Sequence, residues 1–155
     1  MSRSRRLVVG VDGSEGSRHA MAWAGGLLGD TGGNDSSGEI IAVHALGLLA
    51  HLSGMVEPSI GHRNDVARLL DDEWCRPLAH ARIAHRSLLV EGQPVLALIT
   101  AAREEGADLI VVGRRGAGGS PGLMIGSASQ QLVRHADCPV VVVPPPLPEV
   151  PGIVG

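Results

Sequence analysis

The chain is 155 residues long and 44% apolar, with 22 Gly, 10 Pro, two Trp, no Phe or Tyr, and a formal net charge of −3. That size and apolar share describe one domain able to bury roughly two thirds of its unfolded surface, and they exclude wholesale disorder. The charge offers no basic field for nucleic acid or an anionic membrane, and two Trp cannot build the aromatic platform on which single-stranded nucleic acid stacks.

In chain order, Arg3, Arg5 and Arg6 form the only basic run and read as a solvated terminus. Leu7-Val8-Val9-Gly10-Val11 is continuously apolar and predicts a strand buried on both faces. It ends at Asp12, too soon for a signal-peptide core. Ser14 can cap a helix over 15–28, with Ala20, Trp23, Ala24 and Leu27 on one face. The Gly-rich stretch 29–38 reads as loop, and Ile40 to Ala45 as a second buried strand.

A second helix is expected over 63–84, with Val66, Leu70, Trp74, Leu78 and Ala81 at helical spacing. Pro77 lies inside it, which predicts a kink or break near Arg76. His85 to Glu91 reads as a third strand. Pro94 then opens a helix that Gly106 ends, with Val95, Ile99 and Ala102 as its apolar stripe. Leu109 to Val112 is a fourth strand, 127–135 a further helix, and Val140 to Val143 a fifth strand. Residues 1–144 form the expected domain, and the Pro-rich stretch 145–155 an extended or disordered tail.

Strands alternating with helices imply an α/β fold with a parallel sheet covered on both faces. Periodicity does not fix the strand order. No apolar stretch reaches the about 18 residues of a membrane span. Cys75 and Cys138 lack metal or redox spacing and read as buried free thiols, which favours a reducing compartment, the cytoplasm.

In an open α/β sheet, ligands bind beyond the carboxyl ends of the strands. Two segments put unusual residues there. Gly10-Val11-Asp12-Gly13-Ser14 follows the first strand. After the fourth, six glycines fall within the fourteen residues from Gly113 to Gly126. Such glycines let backbone N–H groups approach phosphate oxygens, and Gly126-Ser127 opens a helix whose free N–H groups suit an anion. Each feature has a plainer reading as well. Ser127 with Gln130 fits a capping box, and Asp12 could cap the first helix rather than meet a ribose or a phosphate-bound metal. No second carboxylate stands beside Asp12, which argues against phosphoryl-aspartate chemistry. His51, His62 and Asp65 do not make a convincing metal site.

The spacing Gly113-x2-Gly116-x9-Gly126-Ser127 resembles the nucleotide-binding motif of the universal stress protein family. The segments 9–14, Val43-His44-Ala45 and Cys138 to Pro144 are similar to it too, so the likeness runs over about residues 5 to 144. The resemblance implies a single doubly wound, Rossmann-like five-stranded parallel sheet of the adenine nucleotide alpha hydrolase type, in the order 3-2-1-4-5. It implies ATP, or ADP or AMP, as ligand, with Mg²⁺ or Mn²⁺. Gly10, Val11 and Ala45 would line the adenine pocket, and Asp12 would contact ribose or the metal side. Gly113, Gly116, Gly126, Ser127 and Ser129, with Ala128 between them and Arg114 as a neighbour, would hold ribose and phosphates. The family also dimerises, commonly through the last strand, here Val140 to Val143.

With neither Trp23 nor Trp74 expected at a strand end, the adenine should rest on aliphatic groups and backbone. The leading function is an ATP-binding stress-response regulator or sensor with slow or no hydrolysis, since no catalytic base stands near the loop. The alternative is an α/β enzyme acting on ATP: an ATPase, pyrophosphatase or nucleotidyl transferase. A third reading is an interaction module in which nucleotide is structural only.

Overall fold

The computed structural model describes residues 4–29, 38–46, 60–114 and 127–145. Five strands, β1 (Arg5–Gly10), β2 (Gly38–Leu46), β3 (His85–Glu91), β4 (Leu109–Gly113) and β5 (Val140–Val143), pair in parallel in the order β3-β2-β1-β4-β5. β1 is central. Its Val9 is level with Ala42 of β2 and with Val111 of β4. The chain runs outward from β1 to β3, returns to β4 and ends on the opposite edge. The topological switch therefore falls between β1 and β4.

The apolar runs are continuous because alternate side chains enter two different cores. Leu7, Val9, Ile40, Ala42 and Val111 face one core with α1 (Glu15–Gly29) and with Leu70 and Leu78. Val8, Ile41, Val43, Ile110 and Val112 face the other, under α4 (Pro94–Glu105) and α5 (Ser127–His135). With both faces covered, no alternation of polar and apolar residues is needed.

Helix boundaries follow their signals. Ser14 Oγ accepts the Ser17 N–H at 3.2 Å, the expected cap of α1. Pro94 sits in the first turn of α4, and Gly106 ends it at φ 61°. The buried face of α1 is Ser17, Ala20, Met21, Ala24, Gly25 and Leu28, and Trp23, expected inside, is 40% exposed. α4 buries Ala97, Leu98 and Ala101 besides Ile99 and Ala102, which moves its stripe away from Val95.

The expected second helix is three pieces. α2 (Ile60–Arg68) runs into a π turn (Leu69–Trp74), and α3 (Arg76–His80) follows. The π turn closes with the Cys75 N–H donating to Leu70 O at 3.0 Å, five residues back. Cys75 marks the break, with Pro77 in the first turn of α3, where it forfeits no helical hydrogen bond. Ala81, expected on the apolar stripe, is exposed at the C-cap. Arg82 then takes φ 56° while the Ile83 N–H donates back to Leu78 O at 2.9 Å, stopping the helix.

Candidate functional site

The carboxyl ends of β1 and β4 carry the residues that the sequence singles out. At the end of β1, a Cβ on Gly10 would lie 3.1 Å from a Leu98 methyl and 3.2 Å from one of Val112, so this glycine lets α4 approach the sheet. Val11 is buried, and its N–H donates to Val43 O at 2.9 Å. Its carbonyl accepts a hydrogen bond from His44 Nδ1 at 2.6 Å. Asp12 is half-buried, and one carboxylate oxygen accepts the Ser14 N–H at 2.9 Å and the Ser14 hydroxyl as well. That same hydroxyl oxygen caps α1, so Asp12 supports the cap from behind.

At the end of β4, Gly113 lies against the first turn of α1. A Cβ there would lie 2.5 Å from Gly16 O and 2.8 Å from Gly16 Cα. The Gly113 carbonyl accepts the hydroxyl proton of Ser129 at 3.0 Å. Ser129 is only 4% exposed, and its one proton is directed at the strand end. It ties α5 to β4 and thereby positions the helix start. Ser127 is the first residue of α5 and Ala128 an exposed second. Both described ends of the glycine–serine spacing thus stand where it requires, Gly113 at a strand terminus and Ser127 at a helix N-terminus. Gly116 and Gly126 lie outside the described residues.

The Arg114 N–H continues the ladder to Val143 O at 2.9 Å, while its Nε is buried without a hydrogen-bond partner among the described residues. Arg114 lines a cleft of about 210 Å³ between the first turn of α1 and the ends of β4 and β5. Ser14, Gly16 and His19 line it from the helix side, and His19 Nδ1 is likewise buried without a partner among the described residues. Asp12 and Ala45 do not border this cleft. Ala45 pairs with Val90 beside β2's end, one residue past His44 and so on the opposite sheet face.

The expectation that no aromatic ring reaches the strand ends is wrong for Trp74. Its indole lies directly over Gly13: a Cβ there would be 2.7 Å from Trp74 Cζ2 and 3.2 Å from Nε1. It also meets the His44 ring edge-on, with centroids 5.2 Å apart at 62°. Helical spacing assigns Trp74 to the core stripe, and it does pack against that core, but only in part. The π turn directs its indole to the strand ends, and no local sequence pattern marks a π turn.

Neither thiol is tuned toward the thiolate. Burial, helped by the nearby Asp71 charge, pushes Cys75 up to about 11. Burial first, then Asp137 and Asp108, raises Cys138, which is half-buried rather than buried as expected. Among the described residues, no group of three or more His, Cys, Asp or Glu could hold a metal ion. No helix among them is long and apolar enough to cross a membrane.

Comparison with known proteins decides the family. The family model described as "Universal stress protein family" matches residues 3–144. The chain belongs to the universal stress protein family. Among curated relatives, a universal stress protein of Thermus aquaticus is 49% identical over 57 residues, 37% of this chain and 42% of the relative. Universal stress protein YxiE of Bacillus subtilis is 26% identical over 149 residues, 89% of this chain and 97% of its own length. The chain thus spans less than half of the first relative and nearly all of the second. A solved universal stress protein in complex with cAMP superposes with a TM-score of 0.65 at 28% identity, over 92% of this chain and 98% of that one. The strand order implied by the resemblance is the order observed.

Proposed function

We propose that this universal stress protein binds an adenine nucleotide at the β1–β4 switch point, as a regulatory or sensing ligand in a stress response. One observation carries the reading. The Gly113-x2-Gly116-x9-Gly126-Ser127 spacing begins at the end of β4 and ends at the start of α5, beside the turn that bears Asp12. The relative solved with cAMP, at 28% identity, supports an adenine nucleotide as the ligand class.

In this reading the backbone from Gly113 to Ser127, with the α5 N-terminus, takes the phosphates. Gly10, Val11 and Ala45 border the base, and Arg114 adds positive charge next to the loop. Ser129 serves by holding α5 to β4. Mg²⁺ or Mn²⁺ would arrive with ATP, since Mg²⁺ keeps its waters and is held by one or two carboxylates plus phosphate oxygens. Asp12, a carboxylate at the strand end, fits that donor set. Beside it Gly10 is packed under Leu98 and offers no second acid, so slow or no hydrolysis is expected rather than efficient turnover. Two free thiols support a reducing compartment, the cytoplasm, as its location.

Mass spectrometry of the small molecule released from denatured, purified protein should find an adenine nucleotide. Added ATP–Mg²⁺ should raise the melting temperature, and Gly126→Asp should abolish that shift by placing a carboxylate against the phosphates. No released nucleotide together with no thermal shift would sink the reading. Robust turnover that Asp12→Asn abolishes would replace it with the enzyme.

A further inference from the structure

We propose that Trp74 and His44 are positioning residues for the nucleotide, bracing the turn that carries Asp12, and that Trp74 senses its occupancy. The inference rests on the adenine-nucleotide reading and adds two residues that the motif does not contain. Its ground is a convergence on four residues, Val11 to Ser14.

The Val11 carbonyl is pinned by His44 Nδ1 at 2.6 Å. Two residues on, Gly13 takes φ 80°, a conformation that glycine adopts without strain, and lies in contact with the indole of Trp74. The two rings brace each other edge to face, 5.2 Å apart. Asp12 lies between these anchors, and its carboxylate is turned onto Ser14 at the start of α1. The backbone on either side of Asp12 is therefore held by rings from two other elements, β2 and the π turn. Neither ring is committed to the core alone: Trp74 and His44 are both half-buried.

A π turn in the middle of a helix is costly in hydrogen-bond geometry and is frequent at functional sites. Here it is the turn that carries the indole. Removing the ring leaves Gly13 unsupported, and with it the carboxylate that meets ribose or metal. Misplacing a contact group by about 1 Å weakens what it does severely.

The test uses the full chain with Trp23→Phe, which leaves Trp74 as the only Trp in a protein without Tyr. Its emission is followed during titration with ATP–Mg²⁺, and calorimetry measures binding independently. Trp74 emission should change saturably, with the calorimetric Kd. Trp74→Ala should raise Kd about tenfold, while Trp74→Phe, which keeps a ring over Gly13, should stay within about threefold. Thermal melts establish that each variant is folded. If Trp74→Ala does not fold, His44→Ala should show the same loss of about tenfold through the other anchor.

Calorimetric binding with no change in Trp74 emission would overturn the inference and leave the nucleotide reading standing. So would a folded Trp74→Ala or His44→Ala chain with unchanged Kd. No calorimetric binding by the unsubstituted chain would overturn both.

Discussion

At the end of β4 a single missing side chain lets two elements meet. Gly113 abuts the backbone of Gly16 in the first turn of α1, and a Cβ there would come within 2.5 Å of a carbonyl oxygen. Backbone cannot step aside as a flexible side chain can. Gly113→Ala should therefore destabilise the protein by about 1–3 kcal/mol, the usual cost of forcing atoms into a filled space. Gly26→Ala is the control, because nothing lies within 4 Å of the added methyl and the site is helical. It should stabilise by about 0.4–1 kcal/mol. Urea unfolding of both variants checks the pair, and a neutral Gly113→Ala would contradict the close approach. This contrast limits what sequence could tell at residue scale. The family resemblance assigns the glycines at 10 and 113 to the ligand, yet each already answers to packing, Gly10 under Leu98 and Gly113 against Gly16. Asp12 is similar. Its carboxylate holds Ser14, which caps α1 in its place, and any role toward a ribose or metal is added to that.

Among the elements, the broken second helix is where local signals were least complete. Pro77 announced an interruption near Arg76, and the chain does break there, at Cys75. It did not announce the wider turn over Leu69–Trp74, because that turn depends on how Leu70, Cys75 and Leu78 seat together in the core. Pro77 itself sits in a first turn, where its missing N–H has no helical partner to lose. Pro77→Ala should thus change stability by less than about 1 kcal/mol, whereas a mid-helix proline would yield a gain of about 3 kcal/mol on replacement. A chemical-denaturation midpoint raised by the larger amount would show that one continuous helix is the preferred state. The strands and the other helices were legible for a simpler reason. Double-sided burial writes itself as unbroken Val, Ile and Leu, and the Pro94 and Gly106 signals act within one turn of their own positions.

For the molecule as a whole, alternation of strands and helices fixed the parallel sheet but not which strands are neighbours; the order came from the family resemblance. That order leaves β5 as an edge, and the edge bears on assembly. The Ile110 N–H donates to Pro139 O at 3.0 Å and the Arg114 N–H to Val143 O at 2.9 Å. Odd-numbered residues of this strand therefore direct their polar groups toward β4, and Val140 and Val142 direct theirs outward. An unpaired apolar edge is a template for another chain. The dimer that the family resemblance implies through Val140 to Val143 would engage these two outward residues, with Pro139 and Pro144 at its limits. Val142→Pro tests this cleanly, because it removes an outward N–H and leaves the bonds to β4 in place. Sedimentation should show a dimer for the unsubstituted chain and a folded monomer for the variant. A dimer that survives Val142→Pro would mean that the edge is covered in some other way, and that the partner meets a different face.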